Sequence, residues 1–319
     1  MVAGSLPLDQ LTSNAPHYQI YPEAMLAQCP SLSISIKQAG ILSPLIVHQV
    51  GDAFYVVDGF KRTKLAAELN IKEIPCIILP EESEALAIAT LILQKEEATV
   101  QQSAVRKSLF LALCQKLEIS NDALEPLLNI LNIENHSRVI RQYLNVAELP
   151  HEVLSFCDEK GFSLKQCTHL SKHPRFLLDQ LFLWREKLHF TATIIEEILN
   201  HFKDIMRIEN IDLKKIEQEE GFIAIMQSQS NNQQRTQALR TWLRLRRYPR
   251  LSSIQKSMDQ TVNDMGLLKG VNLNWDRSLE NRGITITANI TEPEQWPDIC
   301  SSLAKSSTQN GINLLLEEL

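Results

Sequence analysis

Ser35-Ile36-Lys37-Gln38-Ala39-Gly40-Ile41-Leu42-Ser43-Pro44-Leu45-Ile46-Val47 and, a few residues on, Tyr55-Val56-Val57-Asp58-Gly59-Phe60-Lys61-Arg62-Thr63-Lys64-Leu65-Ala66-Ala67 decide the fold. The first stretch reads as a short helix, a turn and a strand. The second reads as a strand, a glycine turn and a basic helix. Gly51-Asp52 between them is a hairpin signal. A glycine that closes a buried strand and opens a basic helix can hold a phosphate, because unpaired backbone N–H groups and the positive end of the helix dipole point the same way. The competing reading is a tight turn at Gly59 followed by a solvated face of Lys61, Arg62 and Lys64. The bare Gly-x-Lys-Arg pattern does not separate the two.

Outward from this core, residues 1–30 carry Pro7, Pro16, Pro22 and Pro30 with little periodicity and are expected to form an irregular arm. Lys61–Leu69 is helical in composition and ends at Asn70, a good C-terminal residue. Ile74-Pro75-Cys76-Ile77-Ile78-Leu79 is a further buried strand, with Pro75 near its start where a missing N–H is tolerated. Glu82–Lys95 is an amphipathic helix. The alternation predicts a compact α+β module over residues 31–98. From residue 99 to 178 the strands stop, and Val105–Leu117, Asn121–Leu131 and Ser137–Ala147 show helical spacing. Pro126 must lie in the first turn of its helix or kink it. Residues 179–265 read as helical with an Arg-rich segment, and the polar run Gln227–Gln234 reads as a linker. Residues 266–319 change class again. Val271–Trp275 and Ile284–Ile290 alternate as half-buried strands, and Thr291 is positioned to cap a closing helix.

The 319 residues suffice for two or three domains, and a 44% hydrophobic fraction is ordinary for a folded chain. A net charge of −6 argues against indiscriminate nucleic-acid binding but leaves room for a local basic face. Six cysteines, at 29, 76, 114, 157, 167 and 300, are scattered without a C-x-x-C pair. With no secretory pattern at Met1, they read as reduced thiols in a cytoplasmic protein. No apolar run reaches the length of a membrane span.

The helix, the turn at Ser43-Pro44, the strand and the Gly59 turn together resemble the N-terminal domain of ParB partition proteins. That family carries "G-L-L-Q-P-I-V-V" and then "G-E-R-R" at these places. The resemblance implies a pocket for cytidine triphosphate (CTP), with Gly59, Lys61 and Arg62 facing the phosphates and Ser43 and Pro44 on the neighbouring loop. The family's "E-N-L-Q-R" is matched only in part by Leu91-Ile92-Leu93-Gln94-Lys95, so Gln94 and Lys95 complete the expected set. Phe60 stands where the family has Glu, and the carboxylate and amide that would help hold Mg²⁺ are missing. Phosphate binding is thereby expected to outlast metal-dependent hydrolysis. Sulfiredoxin, on the same scaffold, needs a nucleophilic Cys after the glycine; Phe60 occupies that place and excludes peroxiredoxin repair. A phosphotransferase or nuclease needs an acidic cluster near Gly59, where Asp58 is the single candidate.

Asn135-His136-Ser137-Arg138-Val139-Ile140-Arg141-Gln142-Tyr143-Leu144, followed by Ala147-Glu148-Leu149-Pro150, resembles the ParB helix-turn-helix stretch. In such a motif the second helix enters the major groove and its N-terminal residues reach base edges. Ser137 is expected to cap that helix. Arg138, Arg141 and Gln142 share a face and suit guanine and adenine edges. Val139, Ile140, Tyr143 and Leu144 supply the inner face. The competing reading is an ordinary bundle with exposed arginines. A second basic row, Arg240, Arg244 and Arg247, lies among six arginines between 235 and 250. It either neutralises phosphates or pairs with Glu196-Glu197 or Glu217–Glu220. Cys157, Cys167, His169 and His173 are too irregularly spaced for a zinc site and read as core thiols and surface histidines.

The expected architecture is α+β. It comprises a small ParB-like mixed α/β N-terminal domain, a helical helix-turn-helix middle domain, and a mostly helical C-terminal region ending in a β-hairpin and helix. The expected function is sequence-specific binding of double-stranded DNA in plasmid or chromosome partition, without enzymatic activity. The resemblance further implies a homodimer, nucleoid or plasmid association, and a partner partition ATPase. The alternatives are a transcriptional or mobile-element regulator with the same DNA-binding domains, or an enzyme on the same scaffold.

Overall fold

A computed structural model describes residues 1–12, 18–22, 30–277 and 279–319. The chain divides into two compact units, Met1–Glu186 with Phe190–Leu199, and Lys187–His189 with Asn200–Leu319.

The first unit begins with a five-stranded sheet. Its strands are β1 (Val2–Pro7), β2 (Leu11–Thr12), β3 (Leu45–Val50), β4 (Ala53–Asp58) and β5 (Glu73–Leu79), ordered β1-β5-β3-β4-β2. Residues 2–7 and 11–12, expected to be irregular, form the two edges. β1 runs antiparallel to β5 and β2 runs parallel to β4. Leu6 and Leu11 explain the difference, since both are buried in one core with Leu45, Val47, Val56, Ala66, Ile74 and Cys76. Residues 13–17 and 23–29 of the expected arm, with Pro16 and Cys29, lie outside the described residues. β3 and β4 form a hairpin closed by the two residues Gly51-Asp52, since Val50 pairs directly with Ala53. Pro75 opposes Ser5 of β1, and the ladder to β3 begins one residue later at Cys76.

Helices α1 (Pro30–Ala39), α2 (Phe60–Glu68) and α3 (Ala85–Val100) complete the module. α2 ends as its sequence predicts, with Asn70 in the left-handed region at φ 55°. Six helices follow: α4 (Ala104–Lys116), α5 (Glu125–Ile130), α6 (Ser137–Ala147), α7 (His151–Glu159), α8 (Leu164–Leu170) and α9 (Arg175–Leu183). α4 is their hub, packing against α6, α7 and α8. The helix expected from Asn121 begins at Glu125 instead, so Pro126 sits in its first turn, where its lost donor costs nothing. α10 (Ala192–Glu209) gives its first half to this unit and its second half to the next.

The second unit holds α11 (Leu213–Glu217), α12 (Glu220–Gln227), α13 (Asn232–Arg247) and α14 (Pro249–Asp264). The polar run after Gln227 links α12 to α13, and Asn231 with Gln234 forms a capping box there. The hairpin β6 (Val271–Trp275) and β7 (Ile284–Ala288) follows, then α15 (Gln295–Leu303) and α16 (Ser306–Glu318). α15 starts later than expected: Glu294 is its N-cap, while the Thr291 amide donates to Gln295 Oε1 at 2.9 Å. Met258, Met265, Leu273, Trp275 and Leu315 form the core of this part.

Candidate functional site

The Gly59 turn fixes the first site. β4 delivers Asp58 to the sheet edge, and Gly59 turns the chain at φ 107°, a conformation L side chains rarely adopt. A Cβ there would meet Leu45 Cγ at 2.8 Å, so glycine is required twice over. The turn opens into a hollow of about 230 Å³. Its walls are the start of α2 (Phe60, Lys61, Arg62), the α3 residues Ile92, Lys95 and Glu96, Leu32 of α1, and the segment Tyr18–Tyr21. Tyr18 is anchored from behind: its hydroxyl lies 2.6 Å from Nδ1 of buried His48 on β3.

The predicted phosphate residues divide. Gly59, Lys61 and Lys95 line the hollow together with Arg62. Arg62, however, is spent on the protein itself. It donates to the Ser43 and Pro44 carbonyls at 2.6 and 2.9 Å, and to Asp58 Oδ2 at 2.9 Å. It therefore clasps the Ser43-Pro44 loop to the end of β4. Ser43 and Pro44 line an adjoining depression that shares Asp58, Arg62 and Lys95 with the hollow. Gln94 stands apart, exposed over a third depression beside Leu79 and Met1. Its neighbour Lys95 reaches the hollow because consecutive helical residues face about 100° apart.

Sequence reasoning missed Glu96, Tyr21 and Arg106. Glu96 falls one turn after Ile92 on the same face of α3, a spacing that was legible. Burial raises its carboxyl pKa, Asp58 adds to this, and Lys61 and Arg106 oppose it. Burial likewise raises the Tyr21 hydroxyl, with Glu96 reinforcing. Asp58 is held by Arg62, and burial with Asp58 disfavours the charged form of Glu96, so this carboxylate pair is poorly suited to a divalent metal. Among the described residues, no group of three or more His, Cys, Asp or Glu could hold one.

The second site is α6. Ile140, Tyr143 and Val146 are buried, while Ser137, Arg138 and Arg141 are exposed and Gln142 is half-exposed. Its N-cap is His136 rather than Ser137: the imidazole Nδ1 accepts the Arg138 amide at 3.1 Å. Ser137 itself is exposed.

The third candidate, α13, has a different character. Arg246 makes a bidentate contact with Glu209 at 2.7 and 2.5 Å, and also reaches Glu219 at 2.5 Å. Arg247 pairs with Asp204 and approaches His201 Nδ1 at 3.2 Å. Arg240 donates to Gln237 at 3.0 Å, and Arg244 is exposed. Most of this row serves its own unit. Of the acids expected opposite it, Glu219 takes part, whereas Glu196 pairs with His169 at 2.9 Å. Cys157 and Cys167 are buried core thiols.

Residues 2–93 match the family model of the ParB N-terminal domain. A probable plasmid-partitioning protein ParB of Thermus thermophilus is 37% identical over 94 residues, 29% of this chain and 30% of that protein. The chain thus covers under a third of that relative's length. Nucleoid occlusion proteins of Bacillus thuringiensis and Bacillus cereus are 26% identical over 216 residues, 67% of each chain. Those matches are longer than the N-terminal domain and take in helical chain as well. Among solved structures, a C-terminally truncated Caulobacter crescentus ParB complexed to the centromeric parS site is 15% identical with a TM-score of 0.30, covering 62% of this chain and 98% of that one. The same protein complexed with CTP-gamma-S is 16% identical with a TM-score of 0.24, covering 57% and 99%. No helix among the described residues is long and apolar enough to cross a membrane.

Proposed function

Taking residues 2–93 as a ParB N-terminal domain, we propose that the chain is a partition-type protein that binds double-stranded DNA sequence-specifically by inserting α6 into the major groove. The observation that carries this reading is the outward row Ser137, Arg138, Arg141 and Gln142 on a helix whose other face is buried. Two guanidiniums one turn apart can address adjacent guanines, and Gln142 an adenine. Two-fold DNA sites go with two-fold proteins, so the acting species is a homodimer on the nucleoid or a plasmid, served by a partition ATPase.

In the same reading the hollow takes CTP. Tyr18, Tyr21, Phe60 and Ile92 offer an aromatic and aliphatic wall, and Lys61 and Lys95 offer charge to the phosphates. A metal ion is left out because Arg62 holds Asp58 and burial disfavours the charged form of Glu96. Titration of labelled DNA at several salt concentrations tests the groove helix. Arg138→Ala and Arg141→Ala are each expected to weaken the preferred site by about 1–3 kcal/mol. Unchanged site preference in both variants rejects the reading. For the hollow, calorimetry with CTP is expected to give heat with the parent chain and weaker binding with Lys61→Ala. No heat with the parent removes the nucleotide.

A second reading, a DNA-bound occlusion or regulatory protein using the same helix, is favoured by the 216-residue likeness to nucleoid occlusion proteins. Mapping bound sites along the genome separates the two. Sites clustered at one locus support partition, and dispersed sites support occlusion.

A further inference from the structure

The hollow carries more negative charge than a phosphate site favours. Asp58, at the end of β4, and Glu96, on α3, line it together with Lys61, Arg62 and Lys95, so three cations stand against two carboxylates. Asp58 is answered, since Arg62 Nη2 lies 2.9 Å from its Oδ2. No such contact meets Glu96: among the described residues, no hydrogen bond or ion pair reaches its half-buried carboxyl. The charged and titratable groups around it are Asp58 from β4, Lys61 from α2, Arg106 from α4, its neighbour Lys95, and the Tyr21 hydroxyl from the segment before α1. Arg106 has its Cζ 5.4 Å from the Tyr21 ring centroid, but its donors are turned to Asp158 of α7. There Nε donates to the two carboxylate oxygens at 3.0 and 2.9 Å, and Nη2 lies 2.8 Å from Oδ2. Burial, with Asp58 acting in the same sense, holds the Glu96 carboxyl above its ordinary value of 4.5, against the pull of Lys61 and Arg106.

We propose that Glu96 takes up a proton when the hollow takes its nucleotide, so that a proton does here what a divalent ion does where carboxylates bridge a metal to phosphate. This rests on the reading of the hollow as a nucleotide site. A phosphate between Lys61 and Lys95 brings its negative charge into the wall that holds Glu96. An ionised carboxylate there repels the ligand, and a half-buried charge is screened less than one in open water. Neutralising it removes the repulsion and gives the ligand a new hydrogen-bond donor, because a protonated acid carries one O–H. The step is a simple uptake: one proton leaves the solvent and bonds to a Glu96 oxygen, and no other bond changes. By linkage, a ligand that favours the protonated form binds best where that form is populated. Below the pH at which Glu96 ionises in the free protein, affinity is level. Above it, each pH unit costs about tenfold, until the weaker binding of the ionised form takes over. The hollow therefore loads as pH falls.

The test uses the full chain, CTP as the probe, and a chelator throughout to exclude divalent ions. Calorimetry in buffers of different ionisation heat counts the protons taken up on binding. The CTP Kd is followed between about pH 5.5 and 8.5 for the parent and Glu96→Gln, whose amide imitates the neutral acid. The ligand's own phosphate titrates near pH 6, so the reading is the difference between the two chains, in which that shared contribution cancels. The parent is expected to take up a proton that Glu96→Gln does not. At the alkaline end Glu96→Gln is expected to bind CTP about tenfold more tightly than the parent, with the two converging on acidification. A residue that merely supports the wall would, when replaced, weaken binding at every pH alike. That result overturns the proposal, as do equal proton uptake and parallel pH profiles in the two chains. Absence of CTP heat in the parent across the whole range instead overturns the nucleotide reading of the hollow, and the proposal falls with it. Should Glu96→Gln fail to fold by circular dichroism, Glu96→Ala takes its place, since it must lose the same proton uptake and the same pH slope.

Discussion

Two helices of this chain carry arginines at helical spacing, and their arginines have opposite fates. On α6, Arg138 and Arg141 project from an otherwise buried helix into solvent. On α13, Arg246 is gripped by Glu209 and Glu219 and Arg247 by Asp204. In linear sequence the second row is the more conspicuous, with six arginines in sixteen residues. Arginine density along a helix thus does not tell how many of its charges the fold leaves exposed. On the proposed reading, charge that the fold has already compensated is less available to phosphate than the exposed guanidiniums of Arg138 and Arg141. Arg62 belongs with the α13 type: it lines the hollow beside Gly59, yet it donates to Ser43, Pro44 and Asp58.

Replacing the arginines of each helix in turn tests whether the two rows differ in function. The largest effect is expected from Arg138→Ala with Arg141→Ala, which together should reduce affinity for the preferred DNA site by about thirtyfold or more, on the order of 1–3 kcal/mol for each base contact. The matching pair on α13, Arg246→Ala with Arg247→Ala, should leave the DNA Kd nearly unmoved while lowering the melting temperature. If the α13 pair proves the more damaging to DNA binding, the contrast is reversed.

Next in size is Arg62→Ala. It leaves two carbonyls and a partly buried carboxylate without their donor, and should cost about 1–3 kcal/mol in urea unfolding. Arg62→Lys should recover little, since an ammonium cannot span the three acceptors. Arg246→Ala alone should cost about as much or somewhat less, because Glu209 and Glu219 keep part of their solvation.

A smaller effect is expected in pH. The hydrogen bond from Arg246 holds the Glu209 carboxyl below its ordinary value of 4.5. A depressed carboxyl stabilises fully above that unfolded value, and the benefit is lost as pH falls through the lower folded one. The stability gap between the parent and Arg246→Ala should therefore narrow on acidification below 4.5, as followed by thermal melts. The smallest effect belongs to exposed Arg244, whose replacement by Ala should leave the melting temperature nearly unmoved and change site affinity by no more than about twofold.

Much of the first unit was legible because its signals are local. The Gly59 turn, the Gly51-Asp52 hairpin and the Asn70 helix end each follow from the backbone preferences of one or two residues, whereas Pro126 left a first-turn place and a kink both open. The edge strands were not legible. β1 and β2 depend on β5 and β4, neighbours distant in sequence, and their proline-bearing segment shows no alternation to betray them. For the hollow, the glycine and Lys61 were readable from the motif. Glu96 shares a face of α3 with Ile92 and could have been read from that spacing; Tyr21 and Arg106 could not, since their places depend on separate elements meeting.

The sequence by itself determined where the chain turns, which helices have a buried face, and which side chains carry charge. All of these follow from the conformational limits of glycine and proline and from hydrophobic period. Only the tertiary structure decided which charges remain available. Ion pairing is set by distances of a few ångströms between residues tens of positions apart, and no period in the chain encodes them.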